Sequence, residues 1–281
     1  MEDYKRIDLN DYVQTGEGGT SLTYSHKDGH TLAKLYKPGF EADKEREEFL
    51  TARTVFELGI PTPEPYRLVT DGERNGAEYE LIKGKRSFAR IISQEPERLE
   101  EITLTFASMA KELHATKANT ARLESRKEQL RRFYREKDLV PEEYKQKALR
   151  FIDQVPDATT CVHGDMQVGN IITDGKRTLW IDVGEFAYGV PEWDLSILFV
   201  MSNLMPSDRV EELFHINHET FLAHWRIFIQ AYLGTTDPQA IGEATRRLLP
   251  FAAVRNPYMY DMVEHGPMPQ QGIEIMIQWF E

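Results

Sequence analysis

The run His163-Gly164-Asp165-Met166-Gln167-Val168-Gly169-Asn170 is followed a short way on by Ile181-Asp182-Val183-Gly184. Between and around these strings lie three β-prone runs: Thr160-Cys161-Val162, Asn170-Ile171-Ile172-Thr173 and Thr178-Leu179-Trp180-Ile181. Asp174-Gly175-Lys176 supplies a tight turn between the last two. The pattern therefore predicts a loop carrying Asp165, then a small hairpin that ends in a second carboxylate, Asp182. An acid able to orient a hydroxyl, an amide oxygen at Asn170 and a further acid at Asp182 are the polar parts of phosphoryl transfer assisted by Mg²⁺. That chemistry needs positioning and charge neutralisation more than covalent help from the protein.

Outward from this patch the chain is asymmetric. Upstream, strands are predicted near Asp11-Tyr12-Val13-Gln14, Ser21-Leu22-Thr23-Tyr24-Ser25 and Thr31-Leu32-Ala33-Lys34-Leu35-Tyr36, with Lys27-Asp28-Gly29 turning between the last two. A helix is predicted over 41–58, where Phe49, Ala52, Val55, Phe56 and Leu58 approximate helical spacing and Gly59 and Pro61 stop it. Tyr66-Arg67-Leu68-Val69-Thr70 and Ala77-Glu78-Tyr79-Glu80-Leu81-Ile82 read as two more strands, and Lys83-Gly84-Lys85 as a connector. Helical patterns follow over 96–116, 124–136 and 141–155, and helices resume at Trp193. No internal repeat or low-complexity tract interrupts this order.

Gly16-Glu17-Gly18-Gly19-Thr20-Ser21 lies between two predicted strands, where a glycine-rich turn can offer backbone N–H groups to phosphate oxygens. It lacks the third glycine of G-x-G-x-x-G and the Gly-Lys-Ser/Thr ending of a Walker loop. The next strand is more telling. Lys34 sits mid-strand between Ala33 and Leu35, and a buried ammonium needs anions: nucleotide phosphates and a carboxylate from the helix that follows. Glu45 and Glu48 share one face of that helix; Glu48 is preferred as the partner, and Lys37 is the surface alternative to Lys34.

With these residues in place, the chain resembles the aminoglycoside phosphotransferase and choline kinase-like family of small-molecule kinases. H-G-D-x-x-x-x-N is present as His163 to Asn170, and I-D-x-x-x-x-x-x-G-x-x-x-x-D-L as Ile181-Asp182, Gly189 and Asp194-Leu195. The resemblance implies an α+β, bilobal protein kinase-like fold: a small antiparallel-sheet N-lobe with one helix over 1–82, binding nucleotide, and a larger, mostly helical C-lobe over 83–281 with the catalytic loop and acceptor pocket. It implies that Asp165 handles the acceptor hydroxyl, that Asn170 and Asp182 hold Mg²⁺, and that Lys34, Glu48 and the Gly18, Gly19, Thr20, Ser21 loop bind ATP or GTP. The Glu80 carbonyl and Ile82 N–H would pair with the base, while His163 and Asp194 would brace the loop. Gly164 stands where protein kinases carry Arg, and the segment from Gly184 to Trp193 is too short for an activation loop, which favours the small-molecule branch. A nucleotide-binding regulatory module and a protein kinase are the other readings.

Composition limits the partners. With 34 basic and 46 acidic residues the net charge is −12, which opposes binding to nucleic acid or an anionic membrane. Cys161 is the single cysteine, so neither a disulfide framework nor a cysteine-rich zinc site is available, and a reducing cytoplasm suits the chain. The first residues form no apolar signal core, and no run of 18 apolar residues occurs. Cys161 and His163 alternate onto one strand face, which offers a thiol nucleophile, but that reading leaves Lys34, Asn170 and Asp182 unexplained. The acceptor pocket is expected over 203–281. There Trp225, Tyr232, Tyr258, Asp261 and Glu264 suit a small hydroxylated acceptor, a cationic amine or a polyol, although aromatics at helical spacing also suit a core. Asn256-Pro257-Tyr258-Met259-Tyr260 suggests a pocket-lining loop rather than a helix. The acceptor's identity, ATP against GTP, and monomer against homodimer stay open.

Overall fold

The alternating run around Lys34 becomes a central strand in the computed structural model, which describes residues 3–18, 20–39 and 43–281. In chain order the first elements are β1 (Lys5–Arg6), β2 (Tyr12–Glu17), β3 (Ser21–His26), β4 (Thr31–Tyr36), α1 (Lys44–Glu57), β5 (Pro65–Thr70), β6 (Asn75–Glu80) and β7 (Arg86–Ser87). Then come α2 (Phe88–Gln94), α3 (Leu99–Ala115), α4 (Arg126–Glu136), α5 (Glu142–Gln154), β8 (Cys161–Val162), β9 (Ile171–Thr173), β10 (Thr178–Trp180) and β11 (Ala187–Tyr188). The chain closes with α6 (Glu192–Asn203), α7 (Ser207–Phe214), α8 (His218–Leu233), α9 (Pro238–Glu264) and α10 (Gln270–Met276).

The described residues divide into two units: those up to Ser87 together with Asn170–Phe186, and Phe88–Gly169 together with Ala187–Glu281. The 1–82 segment of the sequence reading thus gains both the chain to Ser87 and a later piece. Strand pairing is the cause: Arg86 and Ser87 of β7 pair with Thr173 and Ile172 of β9, and the Trp180 amide donates to the Pro61 carbonyl at 2.8 Å.

In the first unit the six-stranded sheet has the order β1-β5-β6-β4-β3-β2. It is mixed rather than purely antiparallel, because the short β1, unforeseen in the sequence, runs parallel to β5. Alternation along β4 sends Ala33 and Leu35 into a cluster with Tyr12, Tyr24 and Val69. Lys34 faces the other way. It is paired in register with Ala77, which packs with Leu68 and with Phe49 of α1. The helix therefore covers the face from which Lys34 projects, and Glu48 stands one residue before its buried anchor Phe49. The start of the predicted helix, residues 41 and 42, lies outside the described residues.

The second unit is helical around Trp193, Tyr134, Tyr144, Ile152 and Val254. The 256–260 stretch is not the loop expected from sequence: it is helical, inside α9, which also contains Pro250 and Pro257. Pro257 has no N–H, so the carbonyl four residues back, Ala253, loses its helical donor. The Tyr144 hydroxyl donates to Ala253 O at 2.6 Å and the Tyr134 hydroxyl to Val254 O at 2.8 Å. Tyr144 of α5 thus supplies the donor that the proline removed, and Tyr134 of α4 adds a bond to the next carbonyl. Among the described residues, no helix is long and apolar enough to cross a membrane.

Between α3 and α8, Thr103 Oγ1 gives its proton to Leu99 O at 2.6 Å and so accepts from His224 Nδ1 at 2.8 Å. His224 Nε2 is buried without a hydrogen-bond partner. Burial pushes the imidazole pKa down to about 3, below the ordinary 6.5. A depressed folded pKa stabilises above the unfolded value and is lost as pH falls.

Two outcomes follow from these contacts. Tyr144→Phe should cost roughly 1–3 kcal/mol in urea unfolding, since it orphans a buried carbonyl; an unchanged midpoint would mean that another donor serves Ala253. From pH 7 to pH 5 the wild type should lose about 2 kcal/mol that His224→Gln does not lose, the whole difference arising below pH 6.5. Parallel pH dependence in the two proteins would remove His224 from the account.

Candidate active site

A cavity of about 240 Å³ lies within the first unit, with Lys34, Glu48, Asn170 and Asp182 supplying its polar wall. Leu32, Ala52, Ile82, Ile172 and Ile181 supply much of the rest. Apolar walls with a few convergent polar groups are the usual make-up of a small-molecule site.

Lys34 is the electrostatic centre of this wall. Its ammonium lies 3.1 Å from Glu48 Oε2 and 3.8 Å from Asp182 Oδ1. Burial disfavours the charged amine, but the charges of Glu48, Tyr36 and Asp182 outweigh it and hold the Lys34 pKa above its usual value. Glu48 Oε2 also accepts the Tyr36 hydroxyl proton, so strand and helix are tied twice at one oxygen. Glu45, the other glutamate of the pair, is engaged elsewhere: it accepts from the Tyr4 hydroxyl at 2.7 Å and from Asn75 Nδ2 at 3.4 Å. Lys37 pairs with Glu17 at the surface.

Asp182 takes a left-handed backbone conformation (φ 57°, ψ 51°) before a single 3-10 turn over Val183–Glu185. That turn packs against α1 closely enough that a Cβ on Gly184 would stand 3.0 Å from both Cγ and Cδ of Glu48. Glu48 is already held by Lys34 and Tyr36, so a side chain at 184 would have to displace a pinned carboxylate. The Asn170 carbonyl accepts from the Ile181 amide at 2.9 Å, which fixes Asn170 beside the strand that delivers Asp182. Among the described residues no group of three or more His, Cys, Asp or Glu could hold a metal by itself. One carboxylate and one amide on a shared wall suit Mg²⁺, which completes its shell with water and phosphate oxygens.

Glu80 and Ile82 both line the cavity. The Glu80 amide donates to Glu64 O and the Leu81 amide to His30 O, bonds that use neither the Glu80 carbonyl nor the Ile82 N–H. The Glu80 side chain turns instead to Arg177, at 2.8 Å. Gly18, Thr20 and Ser21 are not among the cavity's lining residues; Gly18 N donates to Ser21 O at 2.8 Å, and Thr20 O accepts from Lys37 N at 2.9 Å. Gly19 lies outside the described residues. Tyr79 and Lys85 line the cavity without having been singled out in the sequence. Tyr79 had a legible signal, since it lies two residues after Ala77, the partner of Lys34, and so on the same face of the sheet; Lys85 had none, because its place depends on β7 meeting β9.

In the second unit, β8 leads into the loop that carries Asp165. Gly164 there has φ 84°, a conformation that favours glycine. Asp194, from the first turn of α6, accepts from the His163 amide at 2.6 Å and from the Gly164 amide at 2.8 Å. Its Oδ2 also meets His114 Nε2 at 3.1 Å, and His114 Nδ1 meets the Tyr232 hydroxyl at 2.8 Å. Burial would raise the Asp194 pKa, but the His114 contact, the nearby His163 and the Gly164 amide together hold it below the usual carboxylate range. His163 is fully buried, and its Nδ1 stands 3.3 Å from the Asp165 amide. Cys161 is also fully buried, and burial with Asp194 nearby pushes its thiol up to about 11, so no thiolate is available near neutral pH.

Of the residues expected to line an acceptor pocket, Trp225 and Tyr232 lie on α8, and Tyr258, Asp261 and Glu264 on α9. Trp225 packs against Phe199 and Phe228, and Tyr258 against Phe133. Asp261 pairs with Lys137 and Glu264 with Arg209.

Asp194→Asn should cost roughly 3 kcal/mol in urea unfolding at neutral pH, because an amide nitrogen would be turned toward donors that need an acceptor. The Asp194 carboxylate stabilises above its unfolded pKa, near 4, and that benefit fades as pH falls below it, so the two proteins should converge in acid. A difference that persists unchanged below pH 3 would contradict an ionised Asp194.

Residues 11–227 match the family described as the phosphotransferase enzyme family. No match was found among curated proteins. Among solved structures, a thermostable mutant of aminoglycoside phosphotransferase APH(4)-Ia in ternary complex with ADP and hygromycin B is 12% identical with a TM-score of 0.63, covering 96% of this chain and 92% of that one. A choline/ethanolamine kinase family protein from Mesorhizobium loti is 14% identical with a TM-score of 0.54, covering 96% and 86%. Aminoglycoside phosphotransferase APH(3'')-Id from Streptomyces rimosus is 17% identical with a TM-score of 0.54, covering 86% and 92%. At these identities the likeness establishes a shared α+β, protein kinase-like fold.

Proposed function

Since the chain belongs to the phosphotransferase enzyme family, we propose that it is an Mg²⁺-dependent kinase moving the terminal phosphoryl group of ATP or GTP to a hydroxyl of a small molecule. The observation that carries this reading is Lys34: a lysine in mid-strand, facing a cavity, flanked by Glu48 and Asp182. Two carboxylates around one ammonium leave the wall short of positive charge, which suits a phosphate chain that arrives with its own cation. The ADP in the APH(4)-Ia complex supports a nucleotide donor.

In this reading the first unit binds nucleotide and the second presents Asp165 and the acceptor. Lys34, fixed by Glu48, aligns the phosphates, and the Glu80 carbonyl and Ile82 amide receive the base. Asn170 and Asp182 would hold Mg²⁺, which when bound neutralises charge on the phosphates. Asp165 orients the acceptor hydroxyl. Its oxygen forms the new bond to the terminal phosphorus as the bond to the bridging oxygen breaks, leaving the nucleoside diphosphate, and the hydroxyl proton passes to the Asp165 carboxylate. The acceptor is proposed as small and hydroxylated, with cationic amines among the candidates; Asp261 and Glu264 pair with Lys137 and Arg209 in the structure.

The test is nucleotide turnover with Mg²⁺ against a panel of hydroxylated metabolites, read by mass gain of one phosphate. Asp165→Ala should lower turnover about 10²- to 10⁴-fold with nucleotide affinity kept, and Lys34→Ala should weaken nucleotide binding itself. Wild-type turnover in Asp165→Ala would overturn the assigned role; nucleotide binding with no phosphorylated product from any acceptor would point to a regulatory module.

A further inference from the structure

Gly164 is held at both of its backbone polar groups by buried ions of opposite sign. Its amide donates to Asp194 Oδ1 at 2.8 Å, and its carbonyl accepts from Arg255 Nη2 at 2.5 Å. Asp194 comes from α6 and Arg255 from the middle of α9, and neither is more than 1% exposed. The residue so held has φ 84° and directly precedes Asp165. Fixing the two peptide planes that flank Gly164 fixes the direction in which the chain presents Asp165.

The arginine is itself built into place. It lies between Ala253 and Val254, whose carbonyls take the Tyr144 and Tyr134 hydroxyls, and Pro257, whose ring excludes one helical hydrogen bond. Its guanidinium lies 5.1 Å from the Tyr258 ring centre and 3.3 Å from Met259 Sδ. A buried guanidinium is costly unless its surroundings repay the lost hydration. One of its nitrogens, Nη2, is directed at the Gly164 carbonyl.

We propose that Arg255 is a positioning residue: with Asp194 it clamps Gly164 and so aims Asp165 at the acceptor hydroxyl. The proposal rests on the role assigned to Asp165 above. A 1 Å error in placing a reacting group can cost about 10²-fold in rate, with no change in how the nucleotide is held. Loss of the clamp should therefore appear in kcat and leave the nucleotide KM unchanged.

The experiment compares wild type, Arg255→Met and Arg255→Lys by steady-state kinetics of nucleotide turnover, water included as acceptor, and by amide hydrogen exchange read over 161–166 and over α8. Arg255→Met should lose about 10- to 100-fold in kcat with nucleotide KM unchanged, and exchange should quicken over 161–166 but not over α8. Arg255→Lys, which keeps one cationic donor, should fall between. Unchanged kcat in Arg255→Met, or faster exchange spread equally through α8, overturns the proposal. If Arg255→Met does not fold, Arg255→Lys decides: kcat several-fold below wild type at constant KM supports the clamp, and wild-type kcat overturns it. If wild type turns over no nucleotide, the functional reading fails by itself, and the exchange arm still tests the clamp.

Discussion

A carboxylate with no exposed surface, Asp194, is the constraint around which the second unit is organised. A buried charge without partners would cost several kcal/mol, so everything that touches Asp194 must donate to it. The donors are backbone amides of His163 and Gly164 and the His114 ring, separated from it by 31, 30 and 80 residues of chain. Meeting that demand brings α3, α6 and the loop after β8 together, and the loop's backbone is then shaped by the carboxylate rather than by its own turn preference. Gly164 tolerates the resulting left-handed backbone because it has no Cβ.

The first unit rests on a charge of the other sign. Lys34 interrupts an otherwise apolar strand, and β-propensity alone would disfavour it there. It is tolerated because α1 lies over the same face and delivers Glu48, and because the turn after β10 delivers Asp182. This arrangement was largely legible in the sequence. Period-two alternation put Lys34 on a definite face, helical spacing put Glu45 and Glu48 on another, and only the choice between them needed coordinates. Tyr4 and Asn75 occupy Glu45, and Tyr36 shares Glu48, which are matters of packing that no spacing rule records. The residues of the Asp165 loop are close in sequence, and Gly164 supplies its left-handed backbone.

What escaped the sequence was supplied from far along the chain. Pro257 made 256–260 read as a loop, since a proline within a helix removes one hydrogen bond. Tyr144 restores that donor from 109 residues away, Tyr134 adds a bond to the neighbouring carbonyl from 120 away, and the helix continues. Nothing local could announce that. The same holds for 170–186, which joins the first unit through β7 and β9, and for the ion pairs of Asp261 and Glu264. Lys137 and Arg209 meet Asp261 and Glu264 from 124 and 55 residues away, pairings that no local pattern in the sequence announces.

These two kinds of evidence meet in the eight residues from His163 to Asn170. The boundary between the units falls inside that motif, between Gly169 and Asn170. Its first half is fastened to the second unit by Asp194 and Arg255 at Gly164, and its last residue is fastened to the first unit by the Ile181 amide at 2.9 Å. Each end of the segment is held by contacts within its own unit. The motif's own residues lie together in sequence and can be picked out there, while Arg255, which holds the Gly164 carbonyl, stands 91 residues away and cannot.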